Sequence, residues 1–185
     1  MCRLRGFPPA GAEAPRVLVL GSFPSVASLE RGEYYGHGRN HFWVLLGLII
    51  GFDPGLPYAD RITRLDTAGI ALWDLFGSCE REGSLDSDIL LEEPNPLSEY
   101  IEARPSIRRI ALNGGKAAAA FLANQAPERK AGRDGLAIGE TFPWRPIFAP
   151  GREISVARLP SSSPVPTRDY RRAEDKLPIW SSFIR

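Results

Sequence analysis

Little in this chain suits a metal or redox centre. There are two cysteines, Cys2 and Cys79, and two histidines, His37 and His41. Two thiols cannot build a four-thiolate iron–sulfur site or a cysteine-rich zinc site, so free thiols in a reducing compartment are expected. His37 and His41 stand four apart, a spacing that chelates metal on a helix. Gly36 and Gly38 argue against a helix there, and no CxxC or HExxH pattern occurs. No metal and no cofactor are therefore expected. Long hydrophobic runs are also missing. The longest, residues 43–50, is interrupted by Gly47, far short of the ~20 residues that span a bilayer. The opening MCRLRGFPPA is too polar and broken for a signal peptide, which leads to the expectation of a cytoplasmic protein with no membrane role. Net charge is only +1, so no overall basic excess announces nucleic acid. The three lysines, Lys116, Lys130 and Lys176, fall on no obvious site loop, which disfavours Schiff-base chemistry. GSFPS lacks the spacing and lysine of a phosphate loop. A Ser–His pair from Ser22 or Ser161 would lack the Gly-x-Ser-x-Gly elbow usual in such hydrolases.

What is present points to one α/β domain over residues 1–185, long enough to close a single core. Aliphatic runs at 16–20, 69–76, 107–112 and 154–159 read as strands. Each ends in a small or polar loop: GSFPS, WDLFGS, NGG or PSSSP. Helical spacing is expected over 41–52, 58–68, 95–104, 116–124 and 168–185, with residues 25–32 as a short turn. Residues 1–15 read as an irregular lead-in, 77–87 as a polar loop and 126–142 as a Gly-rich connection. Alternating strands and helices predict a three-layer α/β/α fold around a central four-stranded parallel sheet. Ligands of such sheets bind beyond the carboxyl ends of the strands. The first strand there feeds the loop that carries both histidines.

That edge carries amides, aromatic rings and serines. Asn40, Asn113, Phe23, Phe42, Tyr34, Tyr35 and Trp73 all lie on or near it. An amide can orient a water or pair with a base edge, and aromatic rings can stack a base. Ser-rich turns suit phosphate oxygens, which nominates Ser22 and Ser25 and then Ser161, Ser162 and Ser163. Residues 74–104 hold nine acids and two bases, whereas 152–185 hold seven bases and four acids. The C-terminal excess fits either a phosphate-facing surface, including Arg168, Arg171 and Arg172, or an ordinary solvated one. Together these features suit an extruded nucleotide better than a sugar or acyl substrate.

GSFPSVAS (21–28), YYGHGRNHFW (34–43), GIALWDLFGSCEREGSLDSDI (69–89), NGGKAA (113–118) and LPSSSP (159–164) occur in the order found in a known family. The chain resembles the uracil-DNA glycosylase superfamily, and most closely its hypoxanthine-DNA glycosylase branch. GRNHFW is also similar to the loop of mismatch-specific uracil and thymine glycosylases. The resemblance implies a four-stranded parallel sheet between helices and a repair enzyme; the expected protein is a cytoplasmic, nucleoid-associated monomer. The resemblance also implies that the enzyme flips a deaminated base, most closely hypoxanthine, from double-stranded DNA and hydrolyses its N-glycosidic bond without metal or covalent intermediate.

Two positions depart from the better-known branches. The residue before the proline of the first motif is Phe23, which can position no water, and the last motif begins with Leu159 in place of histidine. In the hypoxanthine branch an asparagine of the following loop takes the water, a position that matches Asn40. Asn40 is either that residue or a cap for the helix at His41. Phe42 either stacks on the flipped base or packs the core. Asp74 sits where the uracil branch reads its base. It either accepts from hypoxanthine N1–H or makes a local turn bond. Asn113 is a second candidate for base or water contact, or a helix cap. Val165 or Pro166 is placed near the gap left by the base, beside the serine loop. Alternative readings are a uracil or thymine mismatch glycosylase of the same fold, and a non-catalytic damaged-DNA binding module.

Overall fold

The computed structural model describes residues 3–81, 89–131 and 135–185. Its main sheet has six strands in the order β2-β4-β3-β7-β9-β8, where β2 is Ala10–Gly11, β3 Val17–Gly21, β4 Ile70–Asp74, β7 Arg109–Asn113, β8 Thr141–Trp144 and β9 Ile154–Leu159. The four inner strands, β4, β3, β7 and β9, are mutually parallel, as expected. The two edge strands pair antiparallel. Registers bring the carboxyl ends level: Gly21 lies opposite Asp74 and Asn113 opposite Leu159.

Alternation along β3 sets up the two cores. Leu18 and Leu20 face α4 (Leu97–Glu102) and α5 (Gly115–Gln125), packing with Ile101, Ala118 and Phe121. Val17 and Val19 face the opposite layer of α2 (Phe42–Ile50), α3 (Tyr58–Thr67) and α6 (Ala173–Ile184), packing with Leu45, Leu65 and Trp180. A strand buried on both faces reads as a continuous apolar run because each face meets a helix layer.

Several expectations need correction. The lead-in is not irregular: β1 (Arg3–Arg5) and β2 are strands, because alternating Arg3-Leu4-Arg5 pairs with β5 (Phe76–Arg81). With β6 (Ile89–Pro94), β1 and β5 form a second, three-stranded antiparallel sheet. The expected polar loop at 77–87 is therefore strand to Arg81, and residues 82–88 lie outside those described, as do Cys2 and 132–134. The 126–142 connection contains a short 3-10 turn (Pro127–Ala131) and the start of β8. The final helix starts at Ala173, not at 168. The Asp175 carboxylate accepts from the Arg171 and Arg172 backbone N–H groups, at 2.9 and 2.8 Å, and so closes the helix N-terminus. Residue 25 caps α1 (Val26–Arg31), which ends on Gly32 in the left-handed region.

Gly47 sits inside α2, where glycine ordinarily costs stability relative to alanine. A Cβ at this position would lie 2.6 Å from the Phe52 carbonyl oxygen, because the chain doubles back through a bond from Phe52 N–H to the Gly47 carbonyl. Gly47→Ala is therefore expected to destabilise by about 1–3 kcal/mol, as overpacking does. Urea unfolding checks it, and a gain in stability would contradict this packing.

Candidate active site

The carboxyl ends of the inner strands meet three loops: 34–41 before α2, the Asn113-Gly114 turn before α5, and 160–166 after β9. Asn113 joins all three. Its Oδ1 accepts from Ser162 N–H at 2.8 Å, and its Nδ2 donates to Ser162 Oγ at 2.9 Å and to Tyr35 Oη at 3.1 Å. Both amide hydrogens and one oxygen lone pair are thus used, leaving one acceptor site. Asn113 therefore has a structural role, and the expected contact with base or water is narrowed to its one remaining acceptor site. Gly114 next to it has φ of +95°, and a Cβ there would strike Ser161. Only glycine fits that close approach at that dihedral.

Tyr35 is the ring that borders both the strand ends and the loop. It adopts φ of +54°, rare for a non-glycine residue. Its ring stacks on Phe42, with centroids 3.8 Å apart and planes 16° apart. Phe42 is fully buried, with Trp43 and Trp180 against its edges. The expectation that Phe42 stacks on the base is corrected: Tyr35 covers that face, and Phe42 is the layer beneath it. Phe23 is buried in the core against the α4–α5 side, beside Gly6, and no longer qualifies as a base contact.

Asp74 is buried at the end of β4, 4% exposed, leaning over Gly21, where a Cβ would collide with its carboxylate. Burial chiefly, and the Asp74 charge next, hold the neighbouring Tyr34 phenol far above its ordinary pKa. The Tyr34 hydroxyl donates to the Pro8 carbonyl at 3.1 Å, tying the chain's first loop to the site.

Asn40 displays the capping bond: its Oδ1 accepts from Phe42 N–H at 2.9 Å. The same side chain, half-buried, lines a cavity of about 180 Å³ with Tyr35, Gly36, His37, Trp43 and Arg61. Its oxygen keeps a second lone pair. His41 N–H donates to the Ser162 carbonyl at 2.9 Å, docking this loop onto the serine loop.

The serines divide into two groups. Ser162 is 1% exposed and bonded through N–H, Oγ and carbonyl, so it cannot reach a phosphate. Ser22 is buried too, and its carbonyl accepts from Phe76 N–H. The Ser25 hydroxyl caps α1 by accepting from Ser28 N–H. The expectations for Ser162 and Ser22 are corrected by burial; Ser25, half-buried, also lies 3.0 Å from Ser28 Oγ. Ser161 and Ser163 are half-buried, and their hydroxyls accept from the backbone N–H two residues on; each still has its own O–H to donate. Val165, 55% exposed, and Arg168, also exposed, stand at the loop's outer end.

Lys176 was passed over by the motif reading, yet it is 1% exposed and lies under this site. Its Nζ donates to the Ser163 carbonyl at 2.9 Å and lies 3.0 Å from His41 Nδ1. The signal was present in α6: Ala173, Lys176, Trp180 and Phe183 repeat at helical spacing, and all four are buried. A lysine on an apolar stripe marks a buried polar contact.

No protein-family model matches the chain. Over 113 residues it is 41% identical to a hypoxanthine DNA glycosylase of Methanosarcina barkeri (strain Fusaro / DSM 804), covering 60% of this chain and 72% of that protein. Over 114 residues it is 42% identical to a hypoxanthine DNA glycosylase of Methanosarcina acetivorans, covering 61% and 72%. The solution structure of a proposed uracil DNA glycosylase from Methanosarcina acetivorans superposes with a TM-score of 0.73 at 32% identity, covering 100% of this chain and 98% of that one. Parallel sheet, helix layers and strand-end loops thus define a DNA glycosylase of the uracil-DNA glycosylase superfamily. Within it, the chain belongs to the hypoxanthine DNA glycosylase family.

Asn113→Ala is expected to cost about 1–3 kcal/mol, by stranding buried partners at Ser162 and Tyr35. Denaturant unfolding should show that loss without DNA present. An unchanged midpoint would return Asn113 to a purely ligand-facing role.

Proposed function

We propose that this DNA glycosylase excises hypoxanthine from double-stranded DNA, with Asn40 positioning the attacking water. The observation that carries the reading is that Asn40 and Tyr35 line one cavity, while the Tyr35 hydroxyl reaches the strand-end network. Departure of the base builds positive charge on the deoxyribose and negative charge on the purine. Asn40 Oδ1, already accepting one bond from Phe42 N–H, accepts a second from the water and aims it at the sugar carbon. An amide is a weak base, so orientation supplies most of its effect. Tyr35 offers the ring against which the flipped base packs, with Phe42 bracing it from below. Asp74 accepts from hypoxanthine N1–H, a donor that adenine lacks.

Ser161 and Ser163 hydroxyls donate to phosphates, and Arg168 adds sequence-independent, salt-sensitive attraction. Val165, exposed between Pro164 and Pro166, fills the gap in the stack and offsets part of the few kcal/mol of unstacking.

Duplexes carrying one hypoxanthine, uracil, xanthine or thymine mismatch, followed by alkaline cleavage of abasic sites, test the base. Breaks confined to hypoxanthine are expected; breaks chiefly at uracil or thymine would replace it as substrate, and binding without breaks would leave a damage-binding module. Asn40→Ala should slow single-turnover excision by roughly 10²-fold or more, with DNA affinity nearly intact; a near-normal rate removes Asn40 from the reaction. Asp74→Asn presents a donor as well as an acceptor, so the hypoxanthine-over-adenine rate ratio should fall by roughly tenfold or more, one bond's worth of discrimination. An unchanged ratio means that another group reads the base.

A further inference from the structure

Lys176 is buried beneath the junction of the Asn40 loop and the serine loop. Among the described residues its ammonium meets two uncharged partners, the Ser163 carbonyl and His41 Nδ1. The carboxylates nearest in sequence, Glu174 and Asp175, belong to exposed residues of the same helix, and Asp175 is occupied by the Arg171 and Arg172 N–H groups. Burying a cation against neutral acceptors costs free energy that apolar packing would avoid. A position with that cost has a specific use for its donors.

The hydrogen-bond chemistry identifies the use. An ammonium has only donors, so against a charged Lys176 the His41 Nδ1 accepts and the imidazole is neutral with its hydrogen on Nε2; burial acts to lower the Lys176 pKa and the Asp175 charge to raise it. Desolvation and then the Lys176 charge lower the His41 pKa against the opposing charges of Glu174 and Asp175, and the net lowering agrees with a neutral ring. The ring is half-buried, and no hydrogen bond to its Nε2 is found among the described residues. His41 is also pinned through its backbone N–H to the Ser162 carbonyl. The backbone is therefore held by Ser162 and the ring by Lys176, with the Nε2 side of the imidazole away from the lysine. The same serine loop carries the Ser161 and Ser163 hydroxyls, which also have protons to give.

We propose that Lys176 is a positioning residue of the glycosylase: it clamps the Asn40 loop to the serine loop and holds His41 as the Nε2–H tautomer, a neutral donor to a phosphodiester oxygen of the DNA. The proposal rests on the DNA glycosylase reading above. His41 adjoins Asn40 in sequence, so a phosphate taken by His41 and Ser163 places the flipped sugar relative to the water that Asn40 holds. The lysine itself touches no reacting atom.

The chain has only two histidines, so nitrogen-15 spectra of the histidine-labelled full chain resolve the His41 ring, with His37→Gln for assignment. Wild-type protein at neutral pH should show a neutral ring protonated on Nε2. A ring protonated on Nδ1 alone, or an imidazolium, overturns the proposal without any substitution at Lys176. Lys176→Met should mix the tautomers and lower single-turnover excision at saturating enzyme by ~10²-fold, the scale of a misplaced reacting group. A folded Lys176→Met protein of lower stability but wild-type rate also overturns it. His41→Phe keeps a ring and loses the donor; DNA affinity should fall roughly tenfold, and unchanged affinity removes the phosphate contact. Wild-type protein that frees no base from any duplex overturns the glycosylase reading, and the proposal with it. An active wild type with an equally active Lys176→Met overturns the clamp alone.

Discussion

The Asn113 amide is the constraint on which the candidate site depends. From the end of β7 it holds Ser162 of one loop and Tyr35 of another. Neither loop has regular structure of its own, and each would otherwise carry buried backbone groups without partners. Satisfying three atoms with one side chain turns two flexible connections into fixed walls. The cost is that Asn113 has little left to offer a ligand. A residue type suited to reading a base is used instead to shape the space that receives it.

A second layer lies beneath. Tyr35 rests on Phe42, Phe42 on Trp180, and the Trp180 Nε1–H donates to the Pro160 carbonyl at 2.9 Å. The aromatic stack thus runs from the site's inner wall to the strand end that launches the serine loop. Lys176, one turn before Trp180 in α6, adds a polar tie between the same loops. Helix α6 therefore supports the site from below although no residue of it carries a recognised motif. Rigid support of this kind is what orientation catalysis demands of any group that positions a reactant.

The three loops also divide the work between structure and exposure. Ser162 is consumed internally while Ser161 and Ser163 face outward, so one short run of identical residues contains both an anchor and two free donors. The loop 34–41 does the same: Tyr34 is buried and fixed to the lead-in, whereas Tyr35 turns toward the site through a left-handed backbone. Adjacent identical residues acquire different roles from burial, hydrogen bonding and backbone conformation.

Amino-acid order alone determined the four parallel strands, their polar carboxyl-end loops and the family. Short aliphatic runs ending in glycine or asparagine admit few other folds, and GRNHFW with LPSSSP is a distinctive pair. It also determined that Asn40, Asp74, Asn113 and Tyr35 belong to one edge. Tertiary structure decided which of them is available. Phe42 and Tyr35 look equally suited to stack a base, and only packing shows that one covers the other. Asn113 looks like a ligand contact until its partners are known, and the apolar stripe of α6 marks Lys176 as buried without naming the His41 and Ser163 groups it meets. Burial and hydrogen-bond saturation arise between segments far apart in the chain, 49 residues for Asn113 and Ser162 and 135 for His41 and Lys176. Local sequence carries no record of contacts made across such distances.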